Sequence, residues 1–144
     1  MDYRIREVNG TDEDIAETIH EFNREAEFPA LVRDELEDED AHWWLAYCGH
    51  AAVGFAGIIP STYFPQAGYF KRVFVACDHR GHRLQLRFVR ALEARSRKKG
   101  WSLIVSDTRF NAPSANNFIR AGYRIFDPVQ RWAFEDSIYW RKEI

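Results

Sequence analysis

The chain has 144 residues, 46% hydrophobic and 15% aromatic, with a formal net charge of -2 at pH 7. That apolar content is enough for one domain with a packed core and excludes a disordered chain. The acidic balance argues against a dedicated nucleic-acid binder, which would be basic overall.

Cys48 and Cys77 stand in apolar, strand-like contexts without CxxC or metal-ligand spacing, so they read as reduced, mostly buried thiols and no metal is expected. The start, MDYRIREV, alternates instead of forming an apolar run, unlike a signal peptide. No segment approaches the ~20 apolar residues that span a bilayer. The expectation is a cytoplasmic protein without membrane contact.

Tyr3 to Val8 alternates as a strand. Thr11 to Asp14 offers an N-cap with acids in the first turn, and Ile15, Ile19 and Phe22 follow at helical spacing, predicting a helix over about 12–25. Phe28-Pro29 interrupts it. A second short helix, about 30–39, carries Leu31, Val32 and Leu36 on one side and acids on the other.

His42 to Cys48 and Ala51 to Ile59 read as a hairpin about Gly49-His50. A loop covers 60–68, and Tyr69 to Cys77 is the next strand. After Asp78 to Arg83 a long helix is predicted over 84–99, with the apolar stripe Leu84, Phe88, Ala91 and Leu92 and a Gly100 C-cap. Trp101 to Asp107 is a strand, Asn111 to Ala121 a helix ended by Gly122, and 123–126 and 137–142 are closing strands. No repeat or low-complexity segment is present, and the order fits one domain with a mixed α/β (α+β) sheet rather than a doubly wound parallel one.

The sharpest local feature is the strand–turn–helix transition from Val73 to Leu84. Free N–H groups at a helix start, with the helix dipole, suit a phosphate or pyrophosphate. Arg80, His82 and Arg83 can add charge there. Arg83, Arg87, Arg90 and Arg97 lie near one helix face, which reads equally as an ordinary solvated basic surface.

The run R-V-F-V-A-C-D-H-R-G-H-R-L-Q-L-R-F-V-R-A-L-E, from Arg72 to Glu93, resembles the cofactor segment of the GNAT acyltransferases. Downstream, N-A-P-S-A-N-N-F-I-R-A-G-Y resembles their second signature, one helix and one strand later. The resemblance covers nearly the whole chain. It implies a mostly antiparallel central sheet with helices on both faces and a splayed strand pair, 69–77 and 101–107. It also implies acetyl-CoA, or another acyl-CoA, as co-substrate and an amine of a small molecule or peptide as acceptor.

Position by position, the resemblance assigns backbone groups of Val73, Phe74 and Val75 to the pantetheine arm. The N–H groups of Gly81, His82, Arg83, Leu84 and Gln85, with Arg80 beside them, go to the pyrophosphate. Asn111, Ser114 and Phe118 fall at the distal or thioester end. Arg83 and Gln85 stand where the family has Gly and Gly or Ala, and Phe118 stands where many members carry a Tyr that protonates the leaving thiolate. Of the nearby hydroxyls, Ser114 and Tyr123, Ser114 is the replacement acid expected here, and unassisted departure of the thiolate is the alternative.

A general base is expected among Glu27, His42, His79 and Asp107, or as a water chain, with Glu27 placed first. The acids of 34–40 could steer a cationic amine, and Tyr63, Phe64 and Tyr69 could line its pocket, whereas Trp43 and Trp44 read as core. A GNAT-fold binding module that has lost catalysis is the alternative to an enzyme, and a homodimer is one assembly that remains open.

Overall fold

The computed structural model describes residues 2–31 and 33–144. Its elements are β1 (Tyr3–Val8), α1 (Glu13–Glu25), α2 (Arg33–Glu37), β2 (His42–Cys48), β3 (Ala51–Pro60), β4 (Ala67–Val75), α3 (Leu84–Lys99), β5 (Leu103–Thr108), α4 (Ala112–Arg120), β6 (Arg124–Phe126) and β7 (Ile138–Glu143). A 3-10 turn occupies Cys77–His79. The strands form one sheet in the order β1-β2-β3-β4-β5-β7-β6. Among the described strands only β4 and β5 run parallel. The expected mixed, mostly antiparallel sheet with a parallel pair is therefore present.

Alternation along the strands feeds two cores. Trp44, Ala56, Ile58, Phe70, Ile104 and Trp140 point to one face and pack with Phe88 and Leu92 of α3 and Phe118 of α4. Trp43, Leu45 and Phe55 point to the other and meet Ile19 of α1 and Leu36 of α2. Each fully buried aromatic or aliphatic side chain contributes about 1.5–3 kcal/mol, so neither face could be left bare. Gly57 lies under Trp43: an added Cβ there would sit 2.1 Å from the indole ring. A third cluster, Ala67, Leu103 and Val105, is covered by Phe64, Phe126 and Trp132 from loops and the edge strand rather than by a helix.

Helix ends follow local chemistry. The Asp12 carboxylate accepts from the N–H groups of Asp14 and Ile15 at 3.0 and 3.1 Å and starts α1. Gly100, at φ +85, ends α3, and the Trp101 N–H returns to the Ser96 carbonyl at 3.0 Å. Buried Glu93 accepts from the Tyr123 hydroxyl and from Lys142 Nζ, each at 3.0 Å, tying α3 to β7.

Several boundaries differ from expectation. α2 is only five residues, and Val32, expected on its apolar side, lies outside the described residues. β3 runs on to Pro60 because Pro60 pairs with Gly68, so β4 begins at Ala67 and the loop shrinks. Cys77 leaves the strand for the 3-10 turn and is exposed rather than buried.

The β3–β4 register slips once. Gly57 faces Arg72 and Ile58 faces Phe70, so Lys71 is one residue too many in β4, a β-bulge. Phe70 packs against Phe118 on the α3/α4 side, while Lys71 pairs with Glu35 of α2 and Arg72 reaches Asn23 of α1.

Candidate active site

β4 and β5 pair only through Ala67–Leu103, Gly68–Ile104 and Tyr69–Val105. Beyond that point they part. The Ser106 hydroxyl donates to the Phe70 carbonyl at 2.7 Å at the start of the gap, and no described strand pairs with the remaining edge of β4. A cleft of about 860 Å³ opens through this splay. Phe28 and Pro29 form one wall, Tyr63, Trp132 and Phe134 the other, and Asn111, Ser114 and Phe118 lie towards the helical face.

Several sequence-predicted residues meet here. Glu27, Val73, Asp107, Asn111, Ser114 and Phe118 all line the cleft. Ser114 is buried in the first turn of α4, where the Asn111 side chain caps its N–H at 3.1 Å. Its hydroxyl accepts from Gln85 Nε2 at 3.0 Å, and Gln85 Oε1 accepts from Asn117 Nδ2 at 3.2 Å. Phe118 is buried between Phe70, Tyr123 and Trp140, with ring centroids 5.1 to 5.7 Å away.

The loop before α3 lies beyond the cleft lining. Gly81 has φ +84, a conformation that glycine adopts freely. Arg83 is also left-handed, at φ 59, and stands as the N-cap of α3 without a side-chain cap bond. The first helical bond runs from the Arg87 N–H to the Arg83 carbonyl, so the N–H groups of Leu84, Gln85 and Leu86 precede the helical ladder. Arg80 Nε donates to the Val75 carbonyl at 3.0 Å, and its guanidinium lies over the Phe74 ring. His82 packs on the Tyr3 ring and Leu84 is core.

Two of the candidate bases sit elsewhere. His79 Nδ1 is 3.0 Å from the Tyr3 hydroxyl, and His42 pairs with Glu7 at 3.1 Å beside a second, smaller hollow. Four acids of the 34–40 stretch turn away: Glu37, Asp38 and Glu39 line that second hollow and Asp40 pairs with Lys99, while Glu35 pairs with Lys71 of the cleft lining. Of the aromatics, Tyr63 and Tyr69 line the cleft, Phe64 packs behind them, and Trp43 and Trp44 are core. The basic helix face is broken up, since Arg87 donates to the Tyr3 carbonyl and Arg97 pairs with Glu93.

Sequence reasoning missed Arg72, Phe28, Trp132, Phe134 and the Tyr69–Asp107 link. Tyr69 donates to Asp107 Oδ2 at 2.5 Å across the splay, and Trp132 Nε1 donates to the same oxygen at 3.0 Å. Burial, then the Asp107 charge, raises the Tyr69 phenol well above its ordinary range, so it keeps its proton as the donor. Burial pulls the Arg72 guanidinium down, against Tyr69, Glu35 and Asp107. Trp132 sits in a loop without periodicity, so only its residue type could have flagged it.

No curated protein sequence matches the chain significantly. Among solved structures, an acetyltransferase of the GNAT family from Staphylococcus aureus Mu50 superposes with a TM-score of 0.77 at 18% identity, covering 99% of both chains. The PaiA N-acetyltransferase of Thermoplasma acidophilum, solved with coenzyme A, gives 0.76 at 16% identity over 100% of both. The NatC complex bound to Gag peptide and coenzyme A gives 0.80 at 14%, covering 100% of this chain and 99% of that one. At such identities the likeness is one of fold. The family model described as the acetyltransferase (GNAT) family matches residues 11–123, and with it the sheet, the splay and the cleft acquire a common account: this chain belongs to the GNAT acetyltransferase family.

Proposed function

We propose that the chain is a single catalytic unit of the cytoplasm that moves an acetyl or other small acyl group from coenzyme A to an amine of a small molecule or peptide. The observation that carries this reading is the parting of β4 from β5 after Tyr69 and Val105. It leaves a strand edge to which the amides of a pantetheine arm can add as a further strand.

In this reading the backbone of Val73, Phe74 and Val75 holds that arm. The N–H groups from Gly81 to Gln85, with Arg80, His82 and Arg83 beside them, receive the pyrophosphate at the start of α3. Asn111, Ser114 and Phe118 surround the thioester. The free α3 N–H groups and the open β4 edge fit such a ligand, although the Val75 carbonyl must be shared with Arg80. The donor supplies an activated carbonyl. Glu27, at the cleft rim, or Asp107, deeper in, takes a proton from the acceptor ammonium, and the amine nitrogen bonds to the carbonyl carbon as the carbon–sulfur bond breaks. Of the two protons lost from nitrogen, one ends on sulfur through Ser114 and the other passes to solvent. Relatives solved with coenzyme A, one of them with a peptide, support the choice of donor and acceptor.

Calorimetry with acetyl-CoA and its desulfo analogue tests the donor site, and absence of heat at millimolar ligand overturns it. A second reading, a catalytically silent binding module, is favoured by one observation: Arg83 and Gln85 put side chains where the family keeps the cofactor loop small. Thiol release from acetyl-CoA with any member of an amine panel excludes that module.

A further inference from the structure

The acceptor half of the cleft holds four charged groups besides the rim carboxylate of Glu27, and they fall into two kinds. Lys71 is neutralised by Glu35, and Arg109 by Asp136 at 2.8 Å. Arg72 and Asp107 are not in ion pairs with any described residue.

Arg72 spends three of its five N–H groups on neutral oxygens. Nε donates to Asn23 Oδ1 at 3.3 Å, Nη1 to the Lys71 carbonyl at 3.1 Å and Nη2 to the Pro29 carbonyl at 3.3 Å. One N–H on each terminal nitrogen remains. The Phe28 ring lies 5.2 Å from the guanidinium, so its orientation is fixed from both sides. Glu35 and Asp107 favour its charge from beyond ion-pair distance, and a bound anion would complete this half-buried cation at close range. The two spare N–H groups are of the kind that a carboxylate takes.

Asp107 presents the opposite case. Both of its protein donors, Tyr69 and Trp132, are neutral and both use Oδ2. Oδ1 has no partner among the described residues, although it belongs to a cleft-lining residue. The bulge at Lys71 turns Arg72 to the sheet face that Tyr69 and Asp107 share, so one free cation and one free anion look into one chamber. Above them Tyr63 stacks on Trp132, with centroids 5.3 Å apart, and offers an apolar wall.

On the reading that the cleft is an acyl-transfer site, we infer that the acceptor is a zwitterionic amino acid with an apolar or aromatic side chain, its carboxylate on Arg72 and its ammonium at Asp107. A plain amine, a polyamine or a peptide N-terminus leaves Arg72 without an anion at close range. The same guanidinium chemistry could instead serve a dicarboxylic acyl group on the donor, and the test separates the two.

Thiol release is measured with phenylalanine and with phenethylamine, which lacks only the carboxylate, for the wild type and for Arg72→Gln. The wild type is expected to favour phenylalanine in kcat/KM by about 10- to 100-fold, the loss typical of one charge-assisted contact. Arg72→Gln is expected to abolish that preference, so that phenylalanine and phenethylamine are used with a kcat/KM ratio of about 1. Equal use of the two amines by the wild type overturns the inference. So does an equal fall of both in the variant, or a fall seen with succinyl-CoA and absent with acetyl-CoA. If no amine releases thiol, acyl transfer itself fails, and calorimetry with coenzyme A present then decides: tighter binding of phenylalanine than phenethylamine keeps the carboxylate site, and equal or absent binding removes it.

Discussion

Gln85 Nε2 donates to Ser114 Oγ at 3.0 Å, and that bond decides where the serine's own proton can point. Asn117 Nδ2 donates to Gln85 Oε1 at 3.2 Å and supports that orientation of the amide. A hydroxyl that accepts from Gln85 still has one proton to give, and no described group takes it. The residue that replaces a small one in the cofactor loop therefore orients the candidate acid.

Ser114→Ala is expected to lower kcat about 10- to 100-fold with little change in KM, at the low end of general-acid effects because a thiolate leaves fairly well unaided. Gln85→Ala should fall between wild type and Ser114→Ala. An acyl donor with a more acidic thiol should narrow both deficits, since its leaving group needs no proton. Deficits that persist unchanged with that donor would remove Ser114 from the role of acid.

Gly57→Ala is expected to destabilise the fold by about 1–3 kcal/mol or more, measured by urea unfolding. The new Cβ would lie 2.1 Å from the Trp43 ring, and Trp43, packed in the α1/α2 core, has nowhere to move.

Arg83→Gly is expected to stabilise the protein by about 1 kcal/mol, read as a rise in Tm of about 2–4 °C. Arg83 holds a left-handed conformation at φ 59 without a side-chain cap bond to repay it, and glycine adopts that conformation without strain. A fall in Tm would mean that the exposed guanidinium supplies a compensating contact.

His42 predicts a pH dependence of stability. Burial, then the charge of Lys99, lowers its folded pKa below the ordinary value, against the opposing pull of Glu7. The unfolded chain then binds the proton more readily. The His42 contribution is whole above the unfolded value of about 6.5 and is lost as pH falls below it towards the folded value. Urea midpoints for His42→Gln should decline less than wild type between pH 7 and pH 5.

Most of the fold was legible because its signals are local. The Asp12 cap, the Ile15, Ile19 and Phe22 stripe, the Gly100 stop and the alternation of β2 and β3 each act within a few residues. The neighbourhood of Ser114 was legible through motif spacing. The acceptor half was not. Arg72 faces the cleft only because of a register slip, and Trp132 reaches Asp107 from a loop 25 residues away in sequence. His42 and His79 suited proton transfer by residue type, but pairing with Glu7 and Tyr3 keeps them in other neighbourhoods. Such placements depend on tertiary contacts that no single segment encodes.

The extra residue in β4 also sets where this strand can change length. Lys71 and Arg72 already share the α1/α2 side, so deleting Lys71 would restore strict alternation while Arg72 and Phe74 kept facing α1 and Val73 and Val75 kept facing α3. The Lys71–Glu35 pair would go, and the anchor of the chamber would stay. Removing Val73 instead would exchange the sides of Phe74 and Val75, so the strand tolerates a change of length at the bulge and resists it beyond.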